Sequence, residues 1–140
     1  MTLRVVLDTN TVISAIFWKG APHRVFHADD AHDIRFYASP FLLRELAKTL
    51  ERPKFDAIAL STGVSRVAAM KQYQIKVHMV EPDSVPNIIP DDPSDNHVLA
   101  CAVKAGAIAV VSGDGHLKTI KEHAGIPIKT AADFLKSLPE

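Results

Sequence analysis

Four acidic residues stand at positions where a folded chain could bring them together. Asp8 directly follows the first strongly apolar run, and Asp114 comes shortly after the AIAVV run at 107–111. Glu45 borders the apolar stripe of a predicted helix, and Asp95 lies on the inward face of another. Carboxylates that are buried together need a compensating charge, and hard divalent cations take oxygen ligands. The four residues therefore predict a metal site that can activate water and stabilise charge on a phosphate.

Each of these acids also has a simpler explanation when it is considered alone. Asp8 is suited to cap a helix, and Asp114 is suited to an Asp-Gly turn. Asp95 would gain from the helix dipole, and Glu45 would be a solvated side chain paired with a base. Asp92 is best explained as a helix N-cap and ranks below Asp95. The metal hypothesis depends on the four acids being considered together.

Short strands and helices alternate along the chain, and this determines where the acids should lie. The predicted strands are 3–7, 35–38, 75–80, 107–111 and 126–128, and the last of them is predicted to be an edge strand because it contains Pro127. The predicted helices are 11–18, 22–32, 41–52, 54–74 with a break near Thr62-Gly63, 95–105, a short helix ending at 122, and 131–138. This order predicts a three-layer α/β/α sandwich with a central, mostly parallel sheet. Ligands bind beyond the carboxyl ends of such strands, where Asp8 and Asp114 stand.

The composition bounds the class of protein. A chain of 140 residues, 47% of them hydrophobic, predicts one domain over 1–140. The net charge is zero, with 16 basic and 16 acidic residues. Many nucleic-acid-binding domains are basic, so this balance counts against a nucleic-acid partner. The objection weakens if several of the acids surround a metal ion, because the ion cancels their charge locally. Cys101 is the one cysteine, so we expect a buried core thiol, no disulfide and a cytoplasmic location. No apolar run approaches the ~18 residues that span a bilayer, so we expect no membrane span.

Four segments, in this order, resemble the motifs of PIN-domain ribonucleases, most closely the branch of toxins from toxin–antitoxin pairs. They are LRVVLDTNTVISA, SPFLLRELAKTL, DPSDNHVLACAVKAGA and VVSGDGHL. The resemblance continues to GIPIKTAADFL and so covers nearly the whole chain. One such segment would be weak evidence, but four in order form a specific pattern.

The resemblance implies a role for each matching residue. It implies that the catalytic, metal-binding acids are Asp8, Glu45, Asp95 and Asp114, and that Asn10 and Ser112 orient them through hydrogen bonds. It also implies a PIN-like fold, one or two Mg²⁺ or Mn²⁺ ions, an RNA substrate, a small antitoxin protein and a homodimer. Some relatives carry a further acid after the last one, whereas Gly115 and His116 follow here.

Basic residues accompany Glu45 on its predicted helix. Arg44, Lys48, Arg52 and Lys54 form a stripe that is either a solvated face or a contact for the RNA backbone. Arg44 is the first candidate for an RNA contact and Lys48 the second.

Other residues keep several interpretations open. Trp18 is a core residue, a platform for a base or an anchor at a protein interface. His97 and His116 each lie two residues beyond a proposed ligand, where either could contact a phosphate. His23 and His27 share a helical face but lack a third ligand, which favours exposed polar residues.

Two alternative functions belong to other classes. LDTNTV is similar to the opening motif of aspartate-nucleophile phosphatases, but that family needs a second acid where this chain has Asn10. A non-catalytic RNA-binding module of the same fold is the other alternative, and the loss of an acid would be its sign. All four acids are present.

Overall fold

The computed structural model describes residues 1–89 and 93–139. Its strands are β1 (Leu3–Leu7), β2 (Ile34–Ala38), β3 (Val77–Met79), β4 (Ala109–Val111), β5 (Glu122–His123) and β6 (Ile126–Lys129). Its helices are α1 (Thr9–Phe17), α2 (Ala21–Phe26), α3 (Asp29–His32), α4 (Pro40–Leu50), α5 (Lys54–Thr62), α6 (Arg66–Lys76), α7 (Pro93–Ala105), α8 (Gly115–Ile120) and α9 (Ala131–Ser137).

The strands form one sheet in the order β3-β2-β1-β4-β6-β5. The pairs β1–β2, β1–β4, β2–β3 and β4–β6 are parallel, and the short β5–β6 pair is antiparallel. In the centre, Val5 faces Phe36 on one side and Ala109 on the other. The predicted mostly parallel sheet is confirmed.

Helices cover both faces of this sheet, as the alternation of side chains along β1 requires. Val5 and Leu7 belong to one apolar cluster, which includes Phe26 of α2 and Phe134 of α9. Val6 belongs to the other cluster, together with residues of α7 and α8. The three-layer α/β/α sandwich is therefore confirmed.

Short polar side chains fix where several helices begin. Asp8, Ser39, Ser65 and Thr130 each accept a hydrogen bond from a backbone N–H in the first turn of the following helix, at α1, α4, α6 and α9. The predicted break between α5 and α6 is present at Gly63, whose φ of 74° ends α5 in the left-handed conformation.

Several predicted elements differ from the observed ones. The strand predicted over 107–111 is shortened to β4, and the short helix predicted to end at 122 ends at Ile120, since Glu122 belongs to β5. The helix predicted over 22–32 is divided into α2 and α3, and at the end of α2 the ammonium of Lys76 donates a hydrogen bond to the carbonyl of Phe26. The strand predicted over 75–80 is shortened to β3, since α6 continues to Lys76.

The prediction that 126–128 is an edge strand was wrong. β6 lies between β4 and β5, and Pro127 faces Glu122 of β5. A proline is tolerated there because β5 is only two residues long and needs few hydrogen bonds. Asp92, predicted as an N-cap, lies outside the described residues. Among the described helices, none has the length and apolar character to cross a bilayer.

Candidate functional site

A cavity of ≈ 840 Å³ opens beyond the carboxyl ends of β1 and β4. All four predicted acids contribute to its wall, namely Asp8, Glu45, Asp95 and Asp114. Residues of α4 and the following turn add three positive charges, from Arg44, Lys48 and Arg52. The structure thus brings together side chains from four separate segments at the edge where the strand order predicts a ligand.

Asp8 is the most buried acid of the cavity, with 4% of its surface exposed. Its side chain accepts a hydrogen bond of 2.8 Å from the backbone N–H of Thr11, and the hydroxyl of Ser112 donates to its Oδ2. Burial raises the pKa of Asp8, these hydrogen bonds oppose the rise, and the charge of Asp114 adds to it. A nearby cation would therefore stabilise the ionised carboxylate.

Ser112 connects the acids of β1 and β4. It is fully buried directly after β4, and its Oγ accepts a hydrogen bond of 2.9 Å from the backbone N–H of Asp114. Because the same hydroxyl donates to Asp8, it fixes the position of one acid and the backbone of the other. Ser112 therefore links the side chain of Asp8 to the segment that carries Asp114.

Glu45 is held by a hydrogen bond from α1. The hydroxyl of Thr9 donates to its Oε1 at 2.6 Å, and Ser39 and Pro40 start the helix that carries it. The partner of Glu45 in this contact is a hydroxyl group, whereas the alternative explanation was a solvated glutamate paired with a basic residue. Sequence reasoning missed Thr9, whose only signal was its position directly after Asp8.

Asp95 is placed by α7. It is 6% exposed and shares the buried face of that helix with Val98 and Leu99, as the helical spacing predicts. The neighbouring Asn96 was also missed by sequence reasoning. Its side chain binds the backbone of Ile88 and Ile89 through three hydrogen bonds of 2.8–3.1 Å, which anchors the preceding loop against α7.

The donor chemistry of the cavity fits a hard divalent cation, because the acids offer only oxygen atoms. Among the side chains that the structure describes, which exclude that of His116, no three His, Cys, Asp or Glu residues lie close enough to enclose one ion. A Mg²⁺ ion commonly keeps several waters and uses only one or two carboxylates. The arrangement fits such an open site better than a closed cage.

The remaining candidates lie at various distances from the acids. Asn10 is exposed in the first turn of α1 and contributes to the cavity wall. Lys54 does not contribute to it, and its ammonium lies 5.5 Å from the ring centroid of Phe55. Trp18 is 49% exposed and its ring contacts Phe17, so the structure does not make it a core residue.

The histidines have different surroundings. His97 stacks on Phe41 of α4, with 3.5 Å between the ring centroids. Burial lowers the pKa of His97, the charge of Glu45 raises it and that of Arg44 lowers it. His23 and His27 lie against each other, with ring centroids 4.2 Å apart and no metal-ligand group among the described residues.

Comparison with known proteins identifies the family of the chain. A family model described as PIN domain matches residues 4–116, a range that contains all four acids. No curated protein matches the chain significantly. The match covers well over half of the chain, so the protein belongs to the PIN-domain family.

Proposed function

We propose that the chain is a Mg²⁺- or Mn²⁺-dependent endoribonuclease. PIN domains are generally nucleases, and this supports hydrolysis of phosphodiester bonds. The observation that carries the proposal is the convergence of Asp8, Glu45, Asp95 and Asp114 in one cavity that also presents basic side chains. One or two bound ions would activate water and stabilise the charge that develops on the phosphate.

The chain's own residues would then divide the work. Asp8 would be stabilised most by a bound ion, because its burial disfavours the charge of its carboxylate. Ser112 and Thr9 would hold Asp8 and Glu45 in position through their hydrogen bonds. Asn10 would orient the carboxylates from α1. Arg44 and Lys48 would bind phosphates next to the scissile bond.

Further parts of the proposal come from the resemblance. The 140 residues would form a single domain that acts in the cytoplasm as the toxin of a toxin–antitoxin pair. A small antitoxin protein would cover the cavity, and the nuclease would form a homodimer. The neutral net charge is consistent with an acidic site that needs cations before it can accept RNA.

The central test uses purified protein and a labelled single-stranded RNA. We expect cleavage with Mn²⁺, none with EDTA, and a loss of about a thousandfold or more in Asp8→Asn. Asp133→Asn is the matched control, since Asp133 is exposed on α9 outside the cavity. Calorimetric titration with Mn²⁺ should show binding to the wild type and much weaker binding to Asp8→Asn.

Each outcome bears on a different part of the proposal. Cleavage by Asp8→Asn at the wild-type rate would show that the site is wrongly assigned, and cleavage in EDTA would exclude metal dependence. RNA binding without metal-dependent cutting would favour the non-catalytic alternative, and a trapped phosphoaspartate at Asp8 would favour the phosphatase.

The toxin role has its own test. Expression of the wild-type chain, but not of Asp8→Asn, should arrest bacterial growth, and co-expression of a short neighbouring reading frame should relieve the arrest. Light scattering on the purified protein tests the homodimer.

A further inference from the structure

Among the described residues that line the first cavity, the lysines and arginines all come from α4 and the turn that follows it. One wall of the cavity is formed by α4 and the turn after it. This wall carries Arg44, Lys48 and Arg52, whose side chains are exposed. Glu51 lies on the same wall and offsets one of them. The remaining excess is positive, so this wall, which we call the α4 wall, attracts phosphate groups.

A second cavity of ≈ 600 Å³ adjoins the first on the other side of the acids. The two cavities share Asn10 and Asp114 as lining residues, so they meet at the acidic site. The second cavity presents the hydroxyl-bearing Thr11, Ser14 and Thr130, and no described residue that lines it is a lysine or arginine. It offers hydrogen bonds and space, but little attraction for phosphates.

The α4 wall is built to contact several phosphates separately. Arg44 and Lys48 are one helical turn apart, about 6 Å along the axis, so each meets its own phosphate. Arg52 lies in the turn after the helix. The carbonyl of Arg52 accepts hydrogen bonds of 3.1 Å from Nη2 of Arg66 and 3.0 Å from the N–H of Phe55, which fix its backbone.

An aromatic surface lies on the same side of the acids. Phe41, at the start of α4, lines the first cavity, and its ring is stacked on His97 at an interplanar angle of 5°. A rigid aromatic pair of this kind can support an unpaired base without selecting its sequence. The charge and the stacking surface are therefore both found on the side of α4.

We infer that the RNA is held mainly on one side of the bond that is cut. The strand on that side binds its phosphates to the α4 wall, and the strand on the other side lies in the neutral cavity. This inference rests on the proposed function. It implies that, after cleavage, the product on the α4 wall dissociates slowly and the other product leaves quickly.

The experiment begins with a short RNA whose cut position is mapped by mass spectrometry. The two products are then synthesised, and their binding to Asp8→Asn is measured in Mg²⁺ at several salt concentrations. One product should bind about tenfold more tightly at low salt, and three phosphate contacts predict a slope of log K against log salt of about −2. Its affinity should fall about 20-fold between roughly 50 and 200 mM salt, while that of the other product stays nearly constant.

Variants of the wall assign the effect to particular residues. Arg44→Ala, Lys48→Ala and Arg52→Ala, each added to Asp8→Asn, should reduce the slope for the tight product by about 0.7 and leave the other product unchanged. Lys54→Ala is the matched control, because Lys54 follows in sequence but lies outside the cavity. Equal affinity of the two products, or equal weakening of both by the wall variants, would overturn the inference alone. Absence of any RNA cleavage would instead contradict the proposed function as well.

Discussion

The two ends of the central sheet differ in how their polar groups are stabilised. At the amino end, the backbone N–H of Leu3 donates to the carbonyl of Asp33 and that of Ile108 to the carbonyl of Arg4, both at 2.8 Å. The exposed Arg4 donates from Nη1 to the carbonyl of Ala105 at 3.1 Å, at the end of α7. A cation at the carboxyl end of a helix is favourable, so this end of the sheet is arranged for stability.

At the carboxyl end, the same strand leads into a buried acid. Asp8 follows β1 directly, and burial and the charge of Asp114 both disfavour its ionised form. Such an arrangement costs free energy of folding unless a cation binds, and sites of this kind are commonly functional. If the two ends have separate purposes, substitutions at one should change activity and substitutions at the other should change stability.

The largest effect within this comparison is expected at Ser112. Ser112→Ala removes the hydroxyl that donates to Asp8 and accepts from the backbone N–H of Asp114. Groups that orient metal ligands typically contribute 10–100-fold, so we expect cleavage to slow by about that factor. Metal affinity from titration with Mn²⁺ should fall in parallel. Ser137→Ala, which removes a hydroxyl bound to the carbonyl of Phe134 in α9, should leave both unchanged.

A smaller effect is expected at Thr9, which holds Glu45. Thr9→Val keeps the shape of the side chain but removes the 2.6 Å hydrogen bond to Oε1. The loss of one such bond, about 1 kcal/mol, corresponds to about fivefold slower cleavage. Thr9→Ser retains a hydroxyl and should restore most of the rate. Equal activity of the valine and serine variants would show that this contact does not position Glu45.

The sequence could predict some of this site and not the rest, for physical reasons. Asp8 and Asp114 lie at the predicted edge of the sheet because they follow strands. Asp95 lies on the predicted buried face because its helical spacing groups it with Val98 and Leu99. The contacts of Thr9 with Glu45 and of Phe41 with His97 depend on how separate helices approach each other. Local patterns do not encode that distance or angle.

In the fold, too, local patterns predict some features, whereas others depend on how separate elements meet. The alternation of strands and helices predicts the layers and the parallel sheet, because periodicity reports which side of each element is buried. The position of β6 was missed because β5 has only two residues, Glu122 and His123, and carries no period that could be recognised. Short elements are decided by the pairing partners that the rest of the fold provides.

The charge of Asp8 should affect the melting temperature of the protein as well as its activity. Its pKa is raised in the fold, so its contribution to stability is fully present below the unfolded value of 3.8 and is lost as the pH rises. Asp8→Asn keeps an acceptor for the N–H of Thr11 and should raise the melting temperature in EDTA by about 3 °C at neutral pH. This gain should shrink as the pH falls through the raised pKa of Asp8, because the carboxyl of the wild type then becomes neutral. Mn²⁺ should then raise the melting temperature of the wild type but not of the variant.

The smallest effect is expected at the amino end. Arg4→Met keeps an unbranched side chain but loses the hydrogen bond to Ala105 and the contact of the guanidinium with the ring of Tyr37, 5.9 Å from its centroid. Because Arg4 is exposed, we expect a loss of only about 0.5 kcal/mol in the free energy of unfolding, measured by urea denaturation. Cleavage should be unchanged, since β1 separates Arg4 from the acids.

An equal loss of activity in Arg4→Met and Thr9→Val would contradict the separation of the two ends. It would mean that β1 transmits a displacement from Arg4 to Asp8, even though Val5 and Val6 between them are fully buried. Tightly packed strands resist such a displacement, because neighbouring side chains leave little space to move. The unchanged activity of Arg4→Met would therefore show that packing along β1 isolates the acidic site from the opposite end of the sheet.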